Sequence, residues 1–113
     1  MIMSPDSLTA GVASNTDGAS FQVVPAAGAG QKLFVSSIYA VNTSATAITV
    51  NIRNGLAGAT RWTLHVPAGG STVIPFPLPL AGFGDNTPIC AQASAATTTL
   101  TISINAFRRS VSI

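Results

Sequence analysis

A strict two-residue alternation late in the sequence most restricts how this chain can fold. In residues 97–107, TTTLTISINAF, every second side chain from position 100 is apolar: Leu100, Ile102, Ile104 and Ala106. A period of two is that of a β-strand with one buried face and one wetter face. Residues 46–54 repeat the pattern with Ile48, Val50 and Ile52. Both strands need apolar faces to lie against, so the sequence predicts an all-β sandwich.

Five further segments have strand character and are separated by turns rich in Gly and Pro: residues 20–24, 31–42, 60–66, 71–76 and 88–94. In residues 60–66 the alternation places Trp62, Leu64 and Val66 inside. The alternation breaks at Ser36 and Ser37, which indicates a β-bulge or a strand buried on both faces. No segment has helical periodicity. The predicted fold is an antiparallel β-sandwich of seven or eight strands, jelly-roll-like or Ig-like.

The domain organisation predicted from the sequence is simple. With 113 residues the chain has the length of one domain, and residues 20–113 form the β-sandwich domain. Residues 1–19 lack a sustained period and are predicted to be an extended N-terminal arm, which is either disordered or ordered on a neighbouring subunit. Residues 76–88 are irregular, because prolines at positions 75, 77 and 79 exclude a central strand and favour unpaired, extended backbone.

Charged residues make up only 7% of the chain, against about 25% in an ordinary soluble domain. Ser, Thr, Asn, Gln, Gly and Ala stand in their place. Covering a Lys or Glu in an interface costs up to about 2 kcal/mol of rotamer entropy and also the desolvation of its charge. Short neutral side chains cost less, and interface cores are depleted in charge. The composition therefore favours an oligomer. The alternative is a protein that relies on neutral polar groups for its solubility.

The basic residues are too few for a nucleic-acid groove. They are Lys32, Arg53, Arg61, Arg108 and Arg109, of which only the last two are adjacent. A nucleic-acid binder is expected to show a basic stripe with interleaved aromatic residues. We expect neither a signal peptide nor a membrane span, since residues 1–14 lack a basic leader and every apolar run is shorter than about 18 residues.

The residues that carry chemistry do not form a recognisable active site. Cys90, His65 and Asp85 make the one Cys, His and Asp set that can be written down. Cys90 lies in a short predicted strand among small residues, which favours a packing thiol over a nucleophile. The only carboxylates are Asp6, Asp17 and Asp85. These are too few to indicate a glycoside hydrolase or a calcium site. We therefore expect no catalytic residue, no metal, no cofactor and no small-molecule substrate.

A glycan-binding role would call for several exposed aromatic rings. The chain has one Trp and one Tyr, at positions 62 and 39. Trp62 alternates with Leu64 and Val66, which indicates the core, while the sequence leaves the position of Tyr39 open. A receptor-binding or glycan-binding module thus stays an alternative.

The order of strands and loops resembles the small β-sandwich structural proteins of tailed bacteriophages. The features that carry the resemblance are FVSSIYAVNTSATAITVNIRNG, the turn PAGGSTV, the Pro-rich apolar loop and the final SAATTTLTISINAF, over residues 31–107. The resemblance implies a capsid decoration (cement) subunit, commonly a homotrimer, or a tail or fibre module. It implies a virion protein on the capsid surface, assembled in the host cytoplasm, that contacts the major capsid protein or another virion protein.

If the chain is such a virion protein, three parts of it are predicted to contact the capsid or neighbouring subunits: the arm, the apolar loop and the two adjacent arginines. The residues assigned to these contacts are Ile2, Leu8, Val12, Phe76, Leu78, Leu80, Phe83, Arg108 and Arg109. The loop residues have a second interpretation, in which they cap one end of the sandwich.

Overall fold

The computed structural model describes residues 7–16, 18–81, 83–95 and 100–110. The described residues form eight strands: β1 (Ser7–Asn15), β2 (Phe21–Val24), β3 (Gln31–Asn42), β4 (Ile48–Asn54), β5 (Thr60–Val66), β6 (Ser71–Leu80), β7 (Ile89–Ala93) and β8 (Leu100–Ser110). They contain no helix long and apolar enough to cross a membrane.

The strands make two sheets of four. Sheet A has the order β1-β8-β3-β6 and sheet B the order β2-β7-β4-β5. Every strand pairing is antiparallel. Two four-stranded antiparallel sheets that exchange strands in this way form a jelly roll, whereas a constant-type Ig domain divides its strands four and three. The predicted β-sandwich is therefore confirmed, and the topology selects the jelly-roll alternative.

The core lies between the sheets and is built from the alternating residues that the sequence singled out. On β8 the buried side chains are Leu100, Ile102, Ile104 and Ala106, and on β4 they are Ile48, Val50 and Ile52. Leu33, Val35, Ile38 and Ala40 of β3 complete the inner face of sheet A. The predicted irregularity in β3 is a bulge, because the register with β6 and β8 shifts between Val35 and Ser37.

The predicted arm, residues 1–19, needs correction. Ser7 to Asn15 form β1, an edge strand of sheet A that pairs with β8 along its whole length. β1 also lies against β2 of the other sheet: a Cβ added to Gly11 would stand 1.9 Å from the Val23 carbonyl oxygen. The small residues of β1 permit this close approach of two backbones, and their low apolar content hid the strand period. Residues 1–6 lie outside the described residues.

The Pro-rich segment is also more ordered than predicted. Pro75, Pro77 and Pro79 belong to β6, which pairs with β3 at the edge of sheet A. Proline is tolerated in edge strands, where its missing N–H would otherwise point to solvent. The prediction that these prolines exclude a central strand is consistent with this placement. Pro75 is opposite Ser37 and Leu80 is opposite Val35, so residues 76–79 between them have no register partner on β3, as the predicted unpaired backbone requires. The last strand of the sheet extends beyond the alternating segment, because β8 continues through Arg108 and Arg109.

Loops join the sheets at two opposite ends, which we name by the first and last residues of β3. At the Gln31 end, the Asn86 N–H donates to the Gln31 carbonyl oxygen at 2.8 Å, and the Gly55 N–H donates to Pro88 at 3.1 Å. At the Asn42 end, the buried Asn42 amide nitrogen donates to the carbonyl oxygens of Thr46, at 2.8 Å, and Pro67, at 3.2 Å. These bonds fix the relative positions of the strands at each end.

Candidate interaction surface

The outer face of sheet A is the surface with the most distinctive composition. Residues that alternate with the buried positions of β1, β8, β3 and β6 point away from the core onto this face. We call this surface the A face; its described side chains include Val12, Ser14, Phe34, Tyr39, Val41, Ser71, Val73, Thr101, Ser103, Asn105 and Phe107. None of these residues is charged, and the cations of the same face are Lys32 and Arg109, which are register partners at its Gln31 end.

An apolar row crosses the A face at right angles to the strands. The register places Val12 opposite Ser103, Ser103 opposite Tyr39 and Tyr39 opposite Val73, so one row contains a residue from each strand. Val12 is 69% exposed, Tyr39 44% and Val73 60%. Large apolar side chains that lie together on a surface indicate an interaction site more than single scattered ones do.

Polar side chains on either side of this row bond to one another. The hydroxyls of Ser14 and Thr101 lie 3.1 Å apart, and the Asn105 amide donates to the Ser37 hydroxyl at 3.0 Å. A partner that covers these groups leaves those bonds in place. The desolvation of the A face therefore costs less than that of a surface whose donors and acceptors are bonded only to water.

The A face approaches the size of a stable contact. Four strands of about ten residues, about 4.8 Å apart and rising about 3.4 Å per residue, form a face of roughly 650 Å². A standard stable interface buries about 800 Å² on each partner. The A face with its rim thus approaches the area that a specific complex needs.

The β6 edge beside the A face is protected against pairing with another strand. β6 has prolines at positions 75, 77 and 79. Proline has no N–H, so β6 offers no donor at these three positions. Edge strands with such prolines resist edge-to-edge aggregation. Association through the face is thereby favoured over extension of the sheet.

The residues predicted to form contacts differ in their exposure and position. Val12 and Leu78 are exposed, Leu78 at 86%. Phe76 and Leu80 are partly buried and pack against the core. Phe83 is 2% exposed and belongs to the core, so in this chain it caps the sandwich, as the second interpretation of the loop had it. Ile2 lies outside the described residues, and Leu8 is opposite Phe107 in the register of β1 and β8.

Arg108 and Arg109 extend from the Gln31 end of sheet A. The Arg109 guanidinium lies 5.5 Å from the ring centroid of Phe34 and 5.7 Å from that of Phe107. These two rings stack with centroids 5.7 Å apart. Arg108 is opposite the buried Leu33, and its Nε atom is shielded from solvent without a hydrogen-bond partner among the described residues.

The Cys90, His65 and Asp85 set is divided by the fold. Cys90 is fully buried in β7, and this burial raises the pKa of its thiol more than the nearby Arg53 charge lowers it. His65 and Asp85 are exposed, His65 on β5 and Asp85 in the loop before β7. A thiol that stays protonated is a poor nucleophile. In the described part of the chain no three His, Cys, Asp or Glu side chains lie together as a metal site would need.

The two candidate glycan-binding aromatics are on different surfaces. Tyr39 lies in the apolar row of the A face. Trp62, predicted to be core, is 38% exposed on β5 at the edge of sheet B and contacts Phe76 of β6. The alternation of residues 60–66 was assigned correctly at Leu64 and Val66, but the edge position of β5 leaves the Trp62 ring half covered. The sequence alone missed Tyr39 and Val73, whose signal was an apolar residue at an outward position of each strand.

Comparison with known proteins shows what fold this is. The chain is similar to a chain of the cyanophage Pam1 capsid asymmetric unit, with 16% identity, a TM-score of 0.52 and coverage of 95% of this chain and 92% of that one. A chain of the acid-stable capsid of Helicobacter pylori bacteriophage KHP30 gives 14% identity, a TM-score of 0.55 and coverage of 89% and 87%. A chain of the Bacillus endospore appendages, described as disulfide-linked pili, gives 15% identity, a TM-score of 0.54 and coverage of 96% of this chain and 93% of that one.

These three likenesses span nearly the whole chain and support the jelly-roll β-sandwich. In sequence, no protein family matches the chain, and no curated protein matches it. The described residues thus establish a β-sandwich fold that is also found in chains of phage capsids and pili.

Proposed function

We propose that this protein is a structural subunit of a virus particle, and specifically a capsid decoration (cement) subunit that associates with copies of itself and with the capsid. The observation that carries the proposal is the A face, whose apolar row from Val12 to Val73 has no charged residue in it. Covering this row removes apolar area from water at about 25 cal/mol per Å² and leaves the cations Lys32 and Arg109 at the Gln31 end of the face.

The comparisons support an assembling role without specifying it. Two of the similar chains are in phage capsids and one is in pili, and proteins of all three kinds act as many copies side by side. The low charged fraction of 7% agrees with a surface that neighbours cover. Many weak contacts in one particle act together, so each copy needs only a modest interface. A non-enzymatic role on the capsid surface is part of this proposal.

The first test is the oligomeric state of the purified chain across a concentration series, by sedimentation velocity. We expect a closed homo-oligomer, with the homotrimer as the proposed form. Tyr39→Lys puts a charge in the centre of the A face and is expected to give monomers. His65→Lys is the matched control, because His65 is exposed on sheet B rather than sheet A. A wild-type chain that stays monomeric at high concentration, or a control that dissociates equally, contradicts association through the A face.

The second test separates the decoration role from a tail or fibre role. Particles that lack the protein are mixed with it, and pelleting and heat resistance are measured with and without it. A decoration subunit is expected to pellet with heads and raise their heat resistance. Binding to isolated tails instead of heads would assign it to the tail or fibre, and binding to neither would contradict both.

A further inference from the structure

Every Lys and Arg side chain of the protein lies toward the same end of the sandwich. Lys32 is the second residue of β3, Arg53 the sixth of the seven residues of β4, and Arg61 the second of β5. Arg108 and Arg109 stand opposite Leu33 and Lys32 near the end of β8. The Gln31 end thus has five cations, while Asp85 is its one carboxylate among the described residues.

The opposite end has no charged side chain in the described part of its turns. The described residues of the turns at the Asn42 end, 16, 18–20, 43–47, 67–70 and 94–95, contain no Lys, Arg, Asp or Glu. Such a division gives the molecule an electrostatic direction along its strands. Fields of this kind steer encounters and orient partners.

The arginines at the Gln31 end are not equivalent. Arg53 is used internally, since its Nε donates to the Gly58 carbonyl oxygen at 3.0 Å and another guanidinium nitrogen donates to the Gln92 amide oxygen at 2.6 Å. Arg109 lies over the stacked rings of Phe34 and Phe107, which hold its charge at the surface.

Arg108 is the residue that points to a ligand. It is two residues from the buried Ala106 and opposite the buried Leu33, so it leaves β8 on the inner side of sheet A. Its Nε is shielded from solvent and has no hydrogen-bond partner among the described residues. A shielded guanidinium donor without an acceptor is unfavourable, and a carboxylate, which accepts two parallel N–H bonds from arginine, would satisfy it.

We propose that the Gln31 end is a docking site for an acidic protein surface, with Arg108 receiving a carboxylate and Lys32, Arg61 and Arg109 supplying the surrounding positive field. A nucleic acid fits this end less well. Its bases need open aromatic faces and its backbone a stripe of cations, whereas the Phe34 and Phe107 rings stack on each other beneath Arg109. The proposed docking site borders the A face at Phe34 and Phe107 but is centred on the Gln31 end, and its binding test is separate from the test of self-association.

The test measures binding of the folded chain to poly-L-glutamate and to a single-stranded oligonucleotide of equal charge, by fluorescence anisotropy at low salt. We expect preferential binding to poly-L-glutamate that weakens with salt. Arg108→Gln is expected to weaken it about tenfold, as for a hydrogen bond to a charged group, and Arg109→Gln about threefold, as for an exposed ion pair.

The matched control is Ala68→Asp, in the exposed turn at the Asn42 end. It changes the net charge by as much as each arginine variant does but leaves the Gln31 end intact, and its binding is expected to equal that of the wild type. Equal loss in the control, absent binding to poly-L-glutamate, or tighter binding to the oligonucleotide would overturn the proposal. So would an Asp6→Asn variant that loses as much folding stability as Arg108→Gln, because Asp6 precedes Ser7, the register partner of Arg108, and the acceptor would then be internal.

Discussion

Trp62 and Phe76 meet edge to face across the gap between the two sheets, with ring centroids 5.1 Å apart and ring planes at 85°. Trp62 is on β5, an edge of sheet B, and Phe76 is on β6, an edge of sheet A. The pair therefore closes one open side of the jelly roll, where no backbone hydrogen bonds join the sheets in the described pairings.

This contact predicts measurable coupling. Phe76→Ala is expected to lower the free energy of unfolding by about 2 kcal/mol, less than the 3 to 5 kcal/mol of roughly full burial, because the ring is only partly buried. A double-mutant cycle with Trp62→Ala is expected to give a coupling energy of about 1 kcal/mol in urea unfolding. Leu78→Ala, on the same strand but 86% exposed, is the control and should change stability little. A coupling energy of zero would show that the two rings do not stabilise the fold together.

Gly11 is predicted to tolerate no side chain. Its added Cβ would meet the Val23 carbonyl oxygen and carbon, which are backbone atoms that cannot rotate away. Gly11→Ala is therefore expected to force β1 from β2 and to destabilise the protein by more than about 2 kcal/mol, as overpacking does.

Gly28→Ala serves as the comparison for Gly11→Ala. Gly28 has a φ of +114° but nothing within 4 Å of an added Cβ. The loss of folding stability in Gly28→Ala should therefore come from the backbone conformation alone and be about 1 kcal/mol. Thermal unfolding of the two variants checks the ranking. A smaller loss for Gly11→Ala would mean that β1 and β2 separate freely.

Asn42 is predicted to be essential to the turns at its end of the molecule. Its amide donates to Thr46 and Pro67, and its side-chain oxygen accepts from the Ser44 N–H at 2.9 Å. Asn42→Asp replaces the donor by an oxygen that faces two carbonyl oxygens, so a loss of about 3 kcal/mol is expected at neutral pH. Asn105→Asp, at an exposed position, is the control. Equal urea midpoints for both variants would contradict this role.

The buried thiol predicts a dependence of stability on alkaline pH. Burial raises the pKa of Cys90 in the folded state, whereas the unfolded thiol ionises near its ordinary value of about 8.5. Between these two values the unfolded state binds fewer protons, so the free energy of unfolding falls as pH rises. Below about pH 8 this contribution is fully present.

The measurement is the urea midpoint at about pH 7 and about pH 10, for the wild type and Cys90→Ala. The wild type is expected to lose more stability over that interval, because the variant has no thiol to ionise. Identical losses would show that the thiolate is accommodated in the folded protein.

Much of the sandwich could be predicted from the sequence. The alternation of Ile102 with Thr101 and of Val50 with Thr49 specifies both the strand and its buried face, because side chains of a strand alternate sides whatever its neighbours are. Strand β1 could not be predicted, because small residues such as Gly11 and Ala13 differ too little in hydrophobicity from their neighbours for an alternating pattern to be recognised. The β6 prolines likewise exclude a central strand without stating that an edge strand is formed.

The candidate surface required the tertiary structure. The sequence determined that the chain is a sandwich of short, mostly uncharged side chains with few cations. Only the fold decided that Val12, Tyr39 and Val73 fall in one row, and that Lys32, Arg61 and Arg109 gather at one end. A strand's own period is local, whereas the register between strands depends on which distant segments pair. Residues far apart in sequence, such as Val12 and Ser103 or Tyr39 and Ser103, become neighbours only through that register.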